Sequence, residues 1–299
     1  MSNHPKILIT GASGFIGSFL VEEALRRGYD TWAGIRKSSS LEYLQDKRIK
    51  FIDFNFNNKE ILEKQLHDFH LRNGKFDYII HNAGITKCLN YDDFDRVNHQ
   101  NTVNFIDALI STQNTPHKFI FISSLSVMGK GDETGQTAFS LDDTPNPNTA
   151  YGKSKFKAEE HLRGTRKLPY LIFRPTGVYG PREKDYLMML KSVKSGLNIS
   201  AGFKPQHLTF IYVKDLIDII FAGIESHITN KTYFVADGDS YTDSEYTSLI
   251  KRTLSKAHTL NLKIPLNILK GVSILSECIS HITKKASTQI GRASCRERV

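Results

Sequence analysis

The sequence predicts an α/β fold in which a doubly wound parallel sheet carries helices on both faces and a smaller, mainly helical lobe is attached. Short runs of β-branched and aromatic residues alternate with helical patterns through the first two thirds of the 299-residue chain. The strand candidates are almost continuously apolar, which is typical of strands buried on both faces of a parallel sheet. The alternation stops after Arg174, and this change predicts where the second lobe begins.

Each element has its own local signal. Helix candidates place apolar residues three and four positions apart, whereas strand candidates are short and bounded by glycine, proline or polar clusters. The predicted strands are Lys6–Thr10, Thr31–Ile35, Lys50–Phe54, Tyr78–His81, Lys118–Ser123, Tyr170–Arg174 and Tyr233–Ala236. The predicted helices include Phe15–Arg27, Lys59–His70, Asp93–Ser111 and Lys153–Arg163.

The predicted domain boundaries follow from the interruption after Arg174. Residues 1–175 and about 209–238 form the sheet domain, and residues 176–208 and 239–289 form the smaller lobe. Within that lobe, Ile264–Ile282 has apolar residues at helical spacing, but Lys270 and Glu277 interrupt the apolar surface. We therefore expect a helix packed on the core there, rather than a membrane anchor.

The last ten residues differ from the rest of the chain. The stretch IGRASCRERV, residues 290–299, is abruptly basic, has no hydrophobic periodicity and matches a reading frame through a common sequencing-adapter oligonucleotide. We interpret it as non-native sequence, with the native chain continuing beyond about residue 289, and exclude it from the fold. Without its three arginines and one glutamate the formal net charge falls from +9 to +7.

Composition restricts the class of function. With 39% hydrophobic and 24% charged residues the chain is typical of a globular protein, and no apolar run reaches the ~18 residues of a membrane span. The N-terminus lacks a signal pattern, and the three cysteines lack metal-ligand spacing, so we expect a cytoplasmic protein without a metal site. The positive charge is dispersed and lacks interleaved aromatic residues, so we expect no nucleic-acid surface.

A glycine-rich turn lies between the first predicted strand and the first predicted helix. Gly11 permits the tight turn, Gly14 lets the backbone approach a pyrophosphate, and Gly17 lets the helix pack closely on the sheet. The N-terminus of the helix offers free N–H groups and the positive end of its dipole to phosphates. This context predicts a Rossmann-type dinucleotide site, and a purely structural turn is the alternative.

The end of the second predicted strand indicates which dinucleotide is bound. NAD-binding chains commonly place an acidic residue there to hold the ribose hydroxyls, but this strand ends in Arg36, Lys37 and Ser38. A guanidinium and hydroxyls can bind a 2′-phosphate, which a carboxylate would repel. The sequence therefore favours NADP, with NAD as the other cofactor to consider and an exposed basic turn as the alternative interpretation.

A tyrosine and a lysine four residues apart occur twice, at Tyr151…Lys155 and at Tyr43…Lys47. The spacing alone is uninformative, because both residue types are common in this chain. Only the first pair follows a strand that ends in serines, near Ser124, whereas the second lies in a polar stretch. A surface helix or turn is a sufficient explanation for the second pair.

Taken together, several motifs resemble those of the extended short-chain dehydrogenase/reductase family, the NAD(P)-dependent epimerase/dehydratase group. They occur in family order and at family spacing over residues 5–285. The motifs are TGASGFIG (10–17), DYIIHNAG (77–84), VNHQNTVNFI (97–106), FISSLSVMG (121–129), YGKSK (151–155), RPTGVYGPR (174–182) and FIYVKDL (210–216).

The resemblance implies a set of cofactor-binding residues. Asn55 stands where the family usually has an aspartate that bonds the adenine amino group, and an asparagine carbonyl can accept the same bond. Asn98 matches an asparagine with a structural role in the central strands. The implied cofactor residues are Gly11, Ser13, Gly14, Phe15, Ile16, Gly17, Arg36, Lys37, Asn55, Phe56, His81, Ala83, Gly84, Tyr151, Lys155, Pro175 and Val178.

The resemblance also implies a catalytic triad of Ser124, Tyr151 and Lys155. A tyrosine normally loses its proton near pH 10, and an ammonium one helical turn away lowers that pKa toward neutrality. Tyr151 would then act as the acid–base group, Lys155 would also bond the nicotinamide ribose, and Ser124 would donate a hydrogen bond to the substrate carbonyl. The alternative is that the three residues have no catalytic role and are a capping serine, a half-buried tyrosine and a solvated lysine.

Departures from the family pattern bear on the substrate. Leu125 and Ser126 replace the acidic pair that sugar-nucleotide dehydratases carry, which argues against dehydration. Gly177 and Leu208 stand where sugar-nucleotide epimerases usually have an asparagine and an arginine that bind the diphosphate. These features resemble the dihydroflavonol-reductase and 3β-hydroxysteroid-dehydrogenase branch instead. The sequence therefore predicts an NADP-preferring reductase or dehydrogenase acting on a small, largely apolar substrate.

Two other functions stay open at this point. A nucleotide-sugar 4-epimerase would use the same triad, and a non-catalytic NAD(P)-binding scaffold or sensor would need no triad at all. The resemblance is also compatible with a homodimer, and it leaves the substrate and the direction of reaction undetermined. The predicted substrate contacts are Thr86, Ser126, Tyr179, Arg182 and His207.

Overall fold

The computed structural model of the protein describes residues 4–131, 137–201, 207–255 and 258–265. Its centre is a seven-stranded, fully parallel sheet, which confirms the predicted fold class. The strand order is β11-β6-β5-β4-β1-β2-β3, so the chain winds outward from β1 in both directions. The strands of this sheet are β1 Lys6–Thr10, β2 Asp30–Gly34, β3 Lys50–Ile52, β4 Tyr78–His81, β5 Lys118–Ile122, β6 Tyr170–Pro175 and β11 Lys231–Val235.

Helices cover both faces of the sheet. One face packs on α1 Phe15–Arg26 and α7 Val213–Glu225, and the other on α2 Lys59–Asn73, α4 Asn101–Ser111 and α5 Ala150–Gly164. Before α4 the chain forms a short α3, Asp92–Phe94, and a π-helical turn, Asp95–Gln100. The predicted helix Asp93–Ser111 is therefore continuous in sequence but changes its hydrogen-bond pattern in the middle.

Five of the seven predicted strands differ from the observed ones by one or two residues at one or both ends. β5 ends at Ile122 rather than Ser123, β6 ends at Pro175 rather than Arg174, and β11 covers Lys231–Val235 rather than Tyr233–Ala236. The second strand runs over Asp30–Gly34 rather than Thr31–Ile35, and the third ends at Ile52 rather than Phe54. Phe54 is buried all the same, because its ring packs beside Phe69 and Phe105 outside the sheet. Burial of an aromatic residue therefore made the apolar run look longer than the strand.

A buried lysine connects the sheet to α7. Lys118, at the start of β5, is only 4% exposed, and its ammonium donates to the carbonyls of Gly223, Ile224 and Ser226. These carbonyls lie at the C-terminal end of α7, where backbone acceptors lack partners within the helix. Lys118 therefore satisfies the end of a helix that lies more than a hundred residues further along the chain.

The described parts of the segments predicted to form the smaller lobe contain short strands as well as helices. β7 Gly177–Tyr179 pairs in parallel with β10 Phe210–Tyr212, a strand in the part of the chain predicted to belong to the sheet domain. The other pairs are β8 Leu197–Ala201 with β13 Leu260–Ile264, and β9 His207–Leu208 with β12 Tyr241–Thr242. The helices of these segments are α6 Asp185–Lys194 and α8 Asp243–Thr253.

Most of the predicted helix Ile264–Ile282 and the whole of the stretch 290–299 lie outside the described residues. Within the part of the chain that the structure describes, no helix combines the length and apolarity needed to cross a membrane.

Candidate active site

The candidate site lies at the carboxyl edge of the sheet. β1, β4, β5 and β6 all run in the same direction, so the loops that follow them meet at one edge. Ligands of open α/β sheets bind in the crevice outside this edge. The glycine turn, the HNAG stretch, the double serine and the RPTGVYGPR segment are therefore brought to one place.

The glycine turn forms the first wall of the crevice. Gly11 has a φ of 65°, and a Cβ added there would lie 2.9 Å from the backbone of Ala83 after β4. A Cβ on Gly17 would lie 2.1 Å from the carbonyl oxygen of Gly11, so the start of α1 can approach the turn only without a side chain. Gly14 is the N-cap of α1, and no side chain caps that helix end. The uncapped first-turn amides and the tight turn fit the pyrophosphate of a dinucleotide.

The ends of β2 and β3 form the side of the crevice where an adenosine ribose would lie. Arg36 and Lys37 are exposed there, and the backbone N–H of Arg36 donates to the Ser39 hydroxyl at 3.1 Å. The Lys37 N–H donates to the carboxylate of Asp53, at 3.2 Å. A carboxylate therefore lies beside the basic pair, and the sequence pattern of β2 alone does not reveal it.

The two residues predicted to face the adenine lie just beyond β3. Asn55 is half-buried, and its side-chain oxygen accepts from the N–H of Asn57 at 3.2 Å. The oxygen retains a second lone pair, which can accept from an amino group. The Phe56 ring packs edge-on against His81 and Phe105, so it contributes to the wall of the crevice.

Lys155 lies deep in the site. Its side chain is 4% exposed, its ammonium donates to the carbonyl of Ile122 at 2.9 Å, and it lies 4.9 Å from the centre of the Phe121 ring. Burial lowers the pKa of Lys155 to about 8, while the charge of Glu159 acts in the opposite direction. The lysine is therefore held against the end of β5, two residues before Ser124.

The start of α5, where Tyr151 lies, packs on the turn after β5, where Ser124 lies. A Cβ on Gly152 would lie 2.3 Å from the carbonyl oxygen of Ser126, so the first turn of α5 rests directly on this segment. Thr149 caps the helix by accepting from the Gly152 N–H at 3.0 Å. The Ser124 hydroxyl accepts from the Ser126 N–H at 3.1 Å and donates to the Ser126 hydroxyl at 3.0 Å. The first turn of α5, which carries Tyr151, is thus packed on the segment that begins at Ser124, and Ser124, Tyr151 and Lys155 are the predicted triad.

His81 is part of the floor of the crevice. Its ring is 2% exposed and bonds the hydroxyls of Thr10, at 2.9 Å, and of Thr102, at 3.0 Å. Burial, and then the charge of Lys155, lower the pKa of His81 to about 3, so the ring is neutral at physiological pH. Because both ring nitrogens are engaged, the ring supports the crevice and has no nitrogen left for a cofactor.

Asn98 connects the loop after β4 to α5. Its side chain accepts from the Ile85 N–H at 2.8 Å and donates to the Ile85 carbonyl and to the Ser154 hydroxyl. The residue is fully buried and lies in the π-helical turn, a feature that often occurs at functional sites. The structural role implied for Asn98 thus has a defined geometry.

The predicted substrate contacts do not all lie together. Ser126 is at the triad, Thr86 is exposed in the loop after β4, and Tyr179 is 40% exposed with its ring beside those of Phe210 and Tyr212. His207 pairs with Thr242 in the small lobe, and its Nδ1 is buried without a partner among the described residues. Arg182 instead contacts α1, through Ser18 and Glu22.

The space beside Gly177 is occupied by another residue. A Cβ on Gly177 would lie only 2.4 Å from the hydroxyl of Tyr186 on α6 and 3.1 Å from the Phe210 ring. Any larger side chain at position 177 would therefore require Tyr186 to move. Leu208, the other departure from the epimerase pattern, is half-buried in β9.

A buried ionic cluster next to the triad was not identified from the sequence. Glu159, one turn beyond Lys155 on α5, is fully buried and accepts from the Ser123 hydroxyl at 2.5 Å. It also accepts from both the Nε and a terminal nitrogen of Arg174, at 3.0 and 2.6 Å, and from Arg163 at 2.6 Å. The only local signal for this role was its position four residues after Lys155. Among the described residues no group of histidine, cysteine and carboxylate side chains could hold a metal ion.

Comparisons with known proteins agree with this architecture. The model of the NAD dependent epimerase/dehydratase family matches residues 7–236. A UDP-glucose 4-epimerase of Vibrio cholerae is 27% identical over 273 residues, which are 87% of this chain and 79% of that protein. A decarboxylating sterol-4-alpha-carboxylate 3-dehydrogenase of Dictyostelium discoideum is 23% identical over 275 residues, 87% of this chain and 80% of that protein.

The fold is also found among solved structures. The structure of UDP-glucuronic acid 4-epimerase from Bacillus cereus, in complex with UDP-glucuronic acid and NAD, has a TM-score of 0.72 and 25% identity to this chain. The similarity covers 86% of each chain. Sequence and fold comparisons therefore indicate the same class of NAD(P)-dependent enzymes.

Proposed function

The chain belongs to the NAD dependent epimerase/dehydratase family of NAD(P)-dependent enzymes, and we propose that it is a nucleotide-sugar 4-epimerase. The observation that carries the redox chemistry of this proposal is the buried Lys155, one turn after Tyr151 on α5 and against the end of β5, two residues before Ser124. This arrangement suits the oxidation of a secondary alcohol and the reduction of the resulting carbonyl.

Each residue of the triad has a separate task in that chemistry. Tyr151 takes the proton from the substrate hydroxyl while the substrate carbon loses its hydride. It returns the proton to the oxygen when the carbon regains a hydride. Lys155 favours the phenolate form of Tyr151 through its positive charge, and Ser124 donates a hydrogen bond to the carbonyl oxygen. When bound, the nicotinamide supplies the acceptor and donor of the hydride.

The substrate class rests on similarity. The relatives include a UDP-glucose 4-epimerase and, among solved structures, a UDP-glucuronic acid 4-epimerase. The similarity to these 4-epimerases favours an epimerase over the reductase that the sequence pattern predicts. An epimerase oxidises and reduces the same substrate carbon, so the cofactor returns to its starting state in each turnover.

Because the cofactor is regenerated in each turnover, an epimerase needs no supply of reduced cofactor. Incubation of the full chain with UDP-glucose or UDP-glucuronic acid, without added reduced cofactor, should convert the sugar to its 4-epimer. The product is measured by chromatography, and the absorbance of reduced nicotinamide should show no net change. Conversion that requires stoichiometric NADPH, or reduction of an apolar ketone without any turnover of UDP-sugars, would contradict the epimerase proposal.

A reductase acting on a small, largely apolar substrate is the second candidate, and the residues around Gly177 favour it. Tyr186 fills the space that a side chain on residue 177 would need, and Leu208 presents no charge to a diphosphate. Arg36 and Lys37 would suit NADP, the cofactor that reductases consume. This candidate combines the predicted substrate class with the predicted cofactor preference.

The second prediction tests the cofactor preference. If Arg36 binds the 2′-phosphate, the Arg36→Ala variant should bind NADPH about tenfold more weakly while NADH binding changes little, because one charge-assisted contact is lost. Both dissociation constants are measured by fluorescence titration. Lys47→Ala, an exposed lysine further along the same connection, serves as the control. Tighter binding of NADH than of NADPH by the unmodified chain would refute the preference, because Asp53 would then dominate at the ribose.

A further inference from the structure

We propose that Arg182 is a positioning residue for the cofactor, which holds the segment after β2 against α1 and so sets the width of the crevice at its adenosine end. The inference concerns cofactor binding and holds for either of the two candidate reactions. It assigns a different role to a residue that the sequence pattern indicates as a substrate contact.

The guanidinium of Arg182 makes two polar contacts with α1. One terminal nitrogen donates to the Ser18 hydroxyl at 2.9 Å, and the other donates to the Glu22 carboxylate at 2.5 Å. Ser18 lies one helical turn after Gly14, the N-cap of α1. Arg182 therefore contacts the helix immediately behind the amides that would face the pyrophosphate.

The same guanidinium lies between two aromatic rings. Its central carbon is 4.2 Å from the centre of the Phe19 ring and 4.6 Å from that of Tyr43. Phe19 belongs to α1, whereas Tyr43 belongs to the connection between β2 and β3. A planar cation between two rings is attracted to both, so the side chain joins this connection to the helix.

The backbone at Arg182 is also unusual. Its φ of 74° lies in the left-handed region, where residues with a side chain are uncommon. Such a conformation costs about 1–3 kcal/mol and persists only when the surroundings stabilise it. The contacts with Ser18, Glu22, Phe19 and Tyr43 supply that stabilisation, so a fixed position of the guanidinium is built into the loop before α6.

The position of Tyr43 relates these contacts to the cofactor. Arg36 and Lys37 begin the connection, and Tyr43 follows them by only six or seven residues. Holding Tyr43 near α1 keeps the start of the connection beside the glycine turn, and the ribose of a bound dinucleotide lies between these two segments. Because Arg182 comes from the segment that leads into the small lobe, it also connects that lobe to the cofactor half of the site.

The test is equilibrium binding of the cofactor without any substrate. The Arg182→Ala and Tyr43→Ala variants of the full chain should each bind NAD(P)H about tenfold more weakly by fluorescence titration. The double variant should be no weaker than the worse single variant, because both changes remove the same connection. The cofactor affinity of Arg182→Lys should lie between that of the unmodified chain and that of Arg182→Ala. The lysine keeps the charge near Glu22 but loses the planar contact with the rings.

Arg48→Ala provides the matched control, because this exposed arginine lies in the same connection and pairs with Asp46 alone among the described residues. Its cofactor affinity should be unchanged. Cofactor affinity equal to that of the unmodified chain in Arg182→Ala would overturn the proposal, as would fully additive losses in the double variant. If Arg182→Ala does not fold, Tyr43→Ala decides alone, because a half-buried ring on the connection can be removed without opening the core.

Discussion

Replacement of Tyr151 by phenylalanine should lower kcat by two to four orders of magnitude, the contribution typical of a positioned acid–base group. The ring would remain beside Phe94, so the first turn of α5 should keep its packing. The loss should lie in the chemical step, because Lys155 and the glycine turn still hold the cofactor. Cofactor affinity and the free energy of unfolding should therefore stay close to those of the unmodified chain.

The measurement is steady-state kinetics with whichever substrate the cofactor-turnover experiment identifies. Tyr170→Phe is the matched control, because Tyr170 is also a half-buried tyrosine. It lies at the start of β6, whereas the candidate site lies where the strands end. The control variant should retain full activity. Full activity in Tyr151→Phe would exclude the triad mechanism for both candidate reactions at once.

Replacement of Glu159 by glutamine should lower the free energy of unfolding by about 3 kcal/mol, near the lower end for a broken buried ion pair. Arg174 is 3% exposed and would lose the charge that compensates its guanidinium. The Ser123 hydroxyl would also lose its charged acceptor. The stability loss is measured by denaturant unfolding, with a lower midpoint and an unchanged slope.

The same variant should change the pH profile. The charge of Glu159 raises the pKa of Lys155, so removing it moves that pKa further below about 8. The useful form of Lys155 is the ammonium, which exists below its pKa, so the alkaline limb of kcat/KM should shift to lower pH. Arg174 also faces this region, and His81, with a pKa of about 3, does not titrate there.

Glu160→Gln is the control for both effects. It removes the same charge one residue further along α5, but from an exposed side chain. Its unfolding free energy and pH profile should match those of the unmodified chain. A Glu159→Gln variant that is destabilised but keeps an unshifted alkaline limb would show that the cluster is purely structural.

The fold could be predicted because its signals are local. The apolar runs of β1, β4 and β5 and the periodicity of α1 need no partner to be recognised, and alternation of the two then favours a parallel sheet. The predicted strand boundaries were less accurate where a residue is buried without being paired in a strand, as at Phe54. The short strands β7, β9, β10 and β12 escaped prediction because strands of two or three residues leave almost no periodic pattern. The five-residue strands β8 and β13 were also missed.

Prediction of the site depended on how far apart its partners lie in the sequence. The glycine turn and the Tyr151–Lys155 pair are contiguous motifs. Glu159 has no such contiguous motif, because Ser123 reaches it from the residue after β5 and Arg174 reaches it from β6. Arg182 is the clearest example, since its contacts with α1 span 160 or more residues.

The attachment of Lys118 to the end of α7 has a consequence for synthesis on the ribosome. At 5–20 residues per second, the roughly 60 residues from the end of β6 to the end of β11 take about 3–12 s to emerge. During that interval the edge of β6 lacks its neighbour, and the Lys118 ammonium lacks the carbonyls that receive it. The nascent sheet therefore passes through a period with an open edge and an unsatisfied charge, when association with other chains competes with folding.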